Sequence, residues 1–501
     1  MAAAVENPHG RHRLVLAGGL LAAAFLATRL ALLWRFPWFV DETTFATFAR
    51  DVHGNLAYLF VAESDKKGLL PSWLGAALIS AGIDPVTAMR LLAGAGAALA
   101  AACGGLVVRR LYGIREGIIT AALVGLGPYF LVTASIGIYD AMVTGLVAAA
   151  VLVSIRLAQR PRPYTALLLG AVLGAGGLTK PTASVAVVVL PFTLLLFDWS
   201  SPRVRARALE WAGLALFALV LGYGLTSIAR LSPYYGQPIG TQNQRQLSQI
   251  FEHVWPVIRA NGPGLWSGLH GYFTIPGVVL AVVGAVASWR RDRAGAAILA
   301  VWTLSVLASA LLLALWAYPR YFAAAIVPLS AFAAVGAVTV WDSVVAAPWS
   351  RRAWRTGVAC ALAAVAVVPA ARFDASVLAD PVQARYPGTD GPGYVTATSA
   401  QTPLERIART IEDRGGPYPV HVDVGLGYPW GLDIRLNGAA IDNARRYDVF
   451  SFGTPTQLAA ARYVITDGET GDAPPRPGFR LIRRAARPDG GAVMRLFERV
   501  R

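Results

Sequence analysis

Five short stretches hold side chains whose types and spacing could do chemistry. They are Asp41-Glu42 in FPWFVDETTFATFAR, Lys66-Lys67 in SDKKGLLPSW, Asp140 in TASIGIYDAMVTG, Lys180 in GGLTKPTAS and Arg320-Tyr321 in YPRYFAAAIVP. The lysines stand out, because the chain has 45 Lys+Arg and only these three are lysine. Cations beside a membrane can hold a lipid-linked phosphate through charge-assisted hydrogen bonds. A neighbouring carboxylate can take the proton of an acceptor hydroxyl, a general-base contribution of roughly 10²–10⁴-fold. Positive charge at the departing phosphate stabilises the charge that develops there. A phosphate leaves readily, so no separate general acid is needed. Such a set suits transfer of a sugar from a polyprenyl phosphate.

Each residue also has a plainer reading. Asp41 could cap the helix that follows it. Lys66 and Lys67 could face water or lipid phosphate, Asp140 could be an ordinary helix-start acid, and Arg320 could snorkel to the interface. Lys180 is harder to set aside, because apolar runs flank it on both sides and an ionisable residue in a span is costly.

The elements that must position these groups are membrane spans. Of 501 residues, 55% are hydrophobic and 15% charged, with a mean hydropathy of +0.50. Soluble domains carry about 25% charge, and a span needs about 20 apolar residues. The apolar runs predict a polytopic α-helical membrane protein with eleven transmembrane helices, near 14–34, 86–108, 116–133, 138–156, 163–179, 181–197, 208–229, 270–289, 296–317, 319–341 and 352–370. The first run reads as an uncleaved span rather than a signal peptide.

Arginine clusters recur in the loops of one side: Arg109/Arg110/Arg115, Arg156/Arg160/Arg162, Arg203/Arg205/Arg207, Arg290/Arg291/Arg293 and Arg351/Arg352/Arg355. That pattern marks the cytoplasmic face and puts the N-terminus inside. It also accounts for the net charge of +16 without a nucleic-acid partner. All five chemical stretches fall on the other, extracytoplasmic side of the plasma membrane. Cys103 and Cys360 lie in apolar runs and read as buried small hydrophobes.

After Ala371 charged, Pro and Gly residues become common, so residues 1–370 read as the membrane domain and 371–501 as a soluble extracytoplasmic α/β domain. TPLERIARTIEDRGG places Leu404, Ile407, Ala408 and Ile411 on one helical face. PVHVDVG and ARYVITDGE read as strands, and FRLIRRAARPDGGAVMRLFERV as two strands around a turn. The outer loop 231–268 is rich in groups that suit sugars, with Tyr234, Tyr235, His253 and Trp255 as candidates, although an interfacial aromatic belt explains them as well.

At these motifs the sequence resembles the GT-C fold glycosyltransferases, in the branch of the protein O-mannosyltransferases and aminoarabinose lipid A transferases. VDETTFATFA looks like that branch's acidic motif in the first outer loop. KGLLPSW resembles its KPPLxxW stretch, with Gly68 and Leu69 replacing the two prolines. TAMRL around Arg90, GAGGLTKPTA and YPRYFAAAIVP resemble further motifs in the same order, over about residues 14–340. The resemblance implies inverting transfer of a monosaccharide from a polyprenyl-phosphate donor to a glycan, glycolipid or protein hydroxyl. Asp41 would be the base, with Glu42 and Asp140 as further catalytic acids. Lys67, Lys180, Arg320 and Tyr321 would hold the donor phosphate. Some members use a divalent cation such as Mg or Mn, for which Asp41 and Asp140 are hard oxygen ligands. A transporter or flippase of lipid-linked sugars is the competing reading. It would call for internal repeats and charges near the membrane midplane, whereas the charges here gather at one face.

Overall fold

The computed structural model describes residues 8–237, 254–346, 352–416, 418–423, 428–451, 455–468 and 472–500. Six described helices are long and apolar enough to cross a membrane: Pro85–Leu111, Tyr139–Gln159, Val204–Leu231, Arg293–Leu312, Pro319–Ala346 and Cys360–Ala379. A bent pair, Val254–Phe273 and Ile275–Arg291, turns by 94° and can act as a seventh span. Leu16–Leu32, Leu69–Ser80, Pro163–Thr179 and Pro181–Leu196 are shorter apolar segments. The protein is integral to a membrane, with a small sheet domain at its C-terminal end.

Local chemistry sets the helix ends. Asp84 caps Pro85–Leu111 by accepting from the Val86 and Thr87 amides, and Asp292 accepts from Ala294 at the start of Arg293–Leu312. Several expected spans are broken for equally local reasons. The run at 116–133 divides into Ile114–Leu126 and Pro128–Thr133 at Gly127. The run at 181–197 is a short helix, Val185–Val189, between two 3-10 stretches that open at Pro181 and carry Pro191. The helix Val254–Phe273 begins inside the outer loop expected at 231–268 and runs into the expected span at 270–289; its internal Pro263 and several glycines hide it in the sequence. The long helix Arg352–Ala379 runs past the expected domain boundary at 370. Cys103 is buried, but Cys360 lies exposed on that helix.

Close helix packing brings the chemical stretches together. A Cβ at Gly96 would fall 2.4 Å from the Met142 Cα, so Pro85–Leu111 and Tyr139–Gln159 touch backbone to backbone. That contact places Arg90 and Asp140 at the same end of the bundle.

The C-terminal domain is a five-stranded sheet: β1 (Val420–Asp423), β2 (Val449–Phe450), β3 (Tyr463–Gly468), β4 (Phe479–Ala486) and β5 (Val493–Arg499), in the order β2-β1-β3-β5-β4. β1 runs parallel to β2 and β3, with Val420 opposite Val449 and Tyr463. The expected hairpin is β4–β5, and the expected helix is Leu404–Asp413, with Leu404, Ile407, Ala408 and Ile411 buried in the domain core. The two-residue strand β2 had no visible sequence signal.

Candidate active site

Asp41 lies in the first turn of the helix Val40–Gly54, where unpaired amides and the helix dipole favour a negative charge. It does not cap the helix, because Phe39 is the cap residue and no side-chain bond closes that end. Instead Asp41 Oδ2 lies 2.8 Å from Arg320 Nη1, and its side chain is 30% exposed. Arg320 sits among the rings of Phe39, Tyr318 and Tyr321, at 5.4, 5.1 and 5.6 Å from their centroids.

The adjacent Glu42 is fully buried. Its Oε1 accepts from Arg90 Nε at 2.6 Å and the Gly137 amide at 2.7 Å, and its Oε2 accepts from Arg90 Nη2 at 2.8 Å. Arg90 also donates to the carbonyls of Leu33 and Phe36. Glu42, expected as a catalytic acid, is held here in a buried ion pair with Arg90. Its two oxygens accept three hydrogen bonds from protein donors, and it fastens three segments around Asp41.

Asp140 is the second residue of Tyr139–Gln159, and its Oδ1 accepts from Lys180 Nζ at 2.7 Å. Lys180 is the extended residue that ends Pro163–Thr179, and its Nζ stands 5.3 Å from the Tyr321 ring centroid. Lys67 Nζ lies 3.7 Å from Asp65 Oδ2 and 5.7 Å from the Phe45 ring centroid. Gly68 explains its departure from the proline pattern. A Cβ there would sit 1.9 Å from the Thr179 carbonyl oxygen, so the chain after Lys67 lies against the residue before Lys180.

Lys66 does not simply face solvent, as expected. It adopts a left-handed φ of 50°, and its Nζ donates to the Tyr234 carbonyl at 2.8 Å and to Glu63 Oε1 at 3.2 Å. Tyr234 thus joins the site through its backbone. Tyr235 is exposed beside Lys66, Trp255 is 71% exposed at the start of Val254–Phe273, and His253 lies outside the described residues.

Electrostatic reach links these pairs into one cluster. Arg320 feels both Asp41 and Asp140, and Asp65 feels both Lys67 and Asp41. Burial raises the Asp65 carboxyl above its ordinary range; the Lys67 charge opposes that and Asp41 adds to it. Asp41 and Asp140 each face a cation. Among the described residues no three His, Cys, Asp or Glu side chains converge to hold a metal ion. Asp41 and Asp140, expected as oxygen ligands for a divalent cation, are paired here with Arg320 and Lys180.

Several residues at the site had no sequence signal. Asp390, buried and within electrostatic reach of Arg320, accepts from the Tyr272 hydroxyl at 2.6 Å. Burial pushes its carboxyl up to about 7, against the Tyr272 hydrogen bond and the Arg320 charge. The C-terminal domain also grips the Asp41 helix. Phe39 bridges to Ala400, the Val40 amide donates to the Ser399 carbonyl at 3.1 Å, and Gln401 donates back to Trp38 at 2.9 Å. Buried Arg487 supports that strand, donating to the Ala400 carbonyl at 2.9 Å and to Asp467 at 2.6 Å. At the far end of the helix, Arg50 pairs with Asp433 at 2.7 Å. The contacts of the Asp41 helix with Ser399, Ala400, Gln401 and Asp433 join residues hundreds apart in the chain, and only folding reveals them.

The profile of the dolichyl-phosphate-mannose-protein mannosyltransferase family matches residues 66–223. That segment includes Lys67, Arg90, Asp140 and Lys180. The structure resembles ArnT from Cupriavidus metallidurans in the apo state, with a TM-score of 0.56 at 15% identity over 95% of this chain and 97% of that one. The same enzyme bound to undecaprenyl phosphate gives 0.57 at 15% identity, again over 95% and 97% of the two chains. The chain has the GT-C fold. As a GT-C chain it resembles the O-mannosyltransferase and ArnT branch. It is also similar to the archaeal oligosaccharyltransferase AglB from Archaeoglobus fulgidus, in complex with an inhibitory peptide and a dolichol-phosphate, with a TM-score of 0.52 at 12% identity over 89% of this chain and 69% of that one. No curated protein sequence matches the GT-C chain.

Proposed function

We propose that the protein is an inverting glycosyltransferase that moves a monosaccharide from a polyprenyl-phosphate donor to a hydroxyl of a cell-envelope acceptor. The observation that carries this reading is the joint placement of Asp41, Arg320, Lys67, Asp140 and Lys180 at one end of the bundle, with Asp41 open to an incoming group. Asp41 takes the acceptor proton as the acceptor oxygen bonds to the anomeric carbon. The bond from that carbon to the phosphate oxygen breaks on the opposite face, so configuration inverts. Lys67, Lys180 and Arg320 stabilise the charge of the departing polyprenyl phosphate. Asp140 and the Tyr321 ring hold Lys180 in place.

Lipid phosphates in the similar solved structures support this donor class: undecaprenyl phosphate on ArnT and dolichol-phosphate on AglB. The arginine-rich loops support a plasma-membrane orientation with the site and sheet domain outside. The test is to incubate the purified protein with a panel of polyprenyl-phosphate sugars and follow release of polyprenyl phosphate. Release coupled to a new glycosidic product is the expected result. Movement of an intact lipid-linked sugar across a vesicle, with no release, would overturn the reading.

A further inference from the structure

At the end of the bundle opposite the candidate site, Arg110, Arg156 and Arg160 line one cavity of about 610 Å³, together with Val153, Gln159 and Leu168. The helix Tyr139–Gln159 carries Asp140 at one end and Arg156 at the other, ~24 Å apart at the rise of an α-helix. Arg156 and Arg160 lie close enough to Arg110 to repel it. Among the described residues, no carboxylate lines the cavity, and Arg156 Nε is buried with no hydrogen-bond partner. Arg110 donates instead to the neutral Gln159 side chain at 3.0 Å, and Arg207 holds the Gln159 carbonyl at 3.0 Å.

Like charges gathered around a cavity, with a buried donor left unsatisfied, call for an anion. Guanidinium forks match phosphate oxygens well. Free phosphate would use only the arginines. One wall, however, is apolar: Tyr164 and Leu168 are 64% and 46% exposed, and neighbouring Leu167 is 54% exposed. A headgroup phosphate with an attached acyl chain satisfies both walls at once. We propose that this cavity is a binding site for the phosphate headgroup of an anionic phospholipid, separate from the proposed donor site. Basic pockets between membrane helices take such headgroups.

The test uses the purified full-length protein, stripped of lipid and titrated with phosphatidylglycerol, phosphatidylcholine or inorganic phosphate while its melting temperature is followed. Phosphatidylglycerol should raise the melting temperature most. The triple variant Arg110→Gln/Arg156→Gln/Arg160→Gln should weaken that response by roughly a hundredfold in lipid concentration, given a several-fold contribution from each guanidinium. A control variant, Arg203→Gln/Arg205→Gln/Arg290→Gln, removes three exposed charges elsewhere and should leave it intact. An equal response to phosphatidylcholine, an equal response to inorganic phosphate, or an equal loss in the control would each overturn the proposal. If the triple variant does not fold, native mass spectrometry of the wild-type protein decides. Enrichment of phosphatidylglycerol over phosphatidylcholine in an equimolar mixture supports the site, and equal retention overturns it.

Discussion

The two ends of the helix Tyr139–Gln159 handle charge in opposite ways. At the Asp140 end every key base has an acid: Arg320 faces Asp41, Lys180 faces Asp140, Lys67 faces Asp65 and Arg90 is clasped by Glu42. At the Arg156 end three arginines share a cavity with no carboxylate among the described residues of its lining. The first arrangement is held together from within, so its half-exposed pairs can be re-partnered by a substrate without collapse. The second is complete only when something anionic arrives. Within the first region, neighbours differ just as sharply. Asp41 is open and singly paired, whereas Glu42 is closed and accepts three hydrogen bonds.

The largest effect should come from breaking the most enclosed pair. Glu42→Ala strands the buried Arg90 guanidinium, which should cost about 3–5 kcal/mol in unfolding experiments. A loss below about 1 kcal/mol would mean that the pair is wetter than it looks. Next is Asp390, which titrates near 7 in the folded protein against an ordinary 3.8. The folded state holds a proton there that the unfolded state releases, so this contribution is complete below 3.8 and is lost as pH rises through about 7. Melting temperature should therefore fall more steeply over that window in the wild type than in Asp390→Asn. Parallel curves would exclude Asp390 as the source.

A smaller effect separates the two adjacent lysines. Lys67→Ala should raise the donor KM roughly tenfold or more, the size of a lost charge-assisted contact. Lys66→Ala frees the Tyr234 carbonyl and should change it less than about threefold. Equal shifts would contradict their different placement. The smallest effect belongs to the opposite end. Arg156→Gln in lipid-stripped protein should alter stability by no more than about 0.5 kcal/mol, because no acid in the cavity lining is lost. A large loss would reveal a partner there.

Much of this site was legible before folding. The scarcity of lysine singled out Lys67 and Lys180, and ordered motifs led to Asp41, Asp140 and Arg320. All depend on residue type and on a nearby membrane boundary, both of which are local. The GT-C fold followed from the same motifs. What escaped depends on long-range contact. Glu42 reads like Asp41 until Arg90 closes on it, and the helix Val254–Phe273 is masked by Pro263 and its glycines. Asp390 and Arg487 lie in a domain whose sequence shows a helix, strands and turns but no pairing with the membrane bundle. Nothing local announces that Ser399, Ala400 and Gln401 pair with the segment just before Asp41.

In the proposed reaction Asp41 is the base and polyprenyl phosphate the departing group. Its most direct test compares polyprenyl phosphate release by wild type and Asp41→Asn, purified in parallel and reconstituted with the same donor and acceptor. Asp41→Asn should lower kcat roughly 10²–10⁴-fold, with folded protein and donor binding retained. Release at the wild-type rate would contradict it.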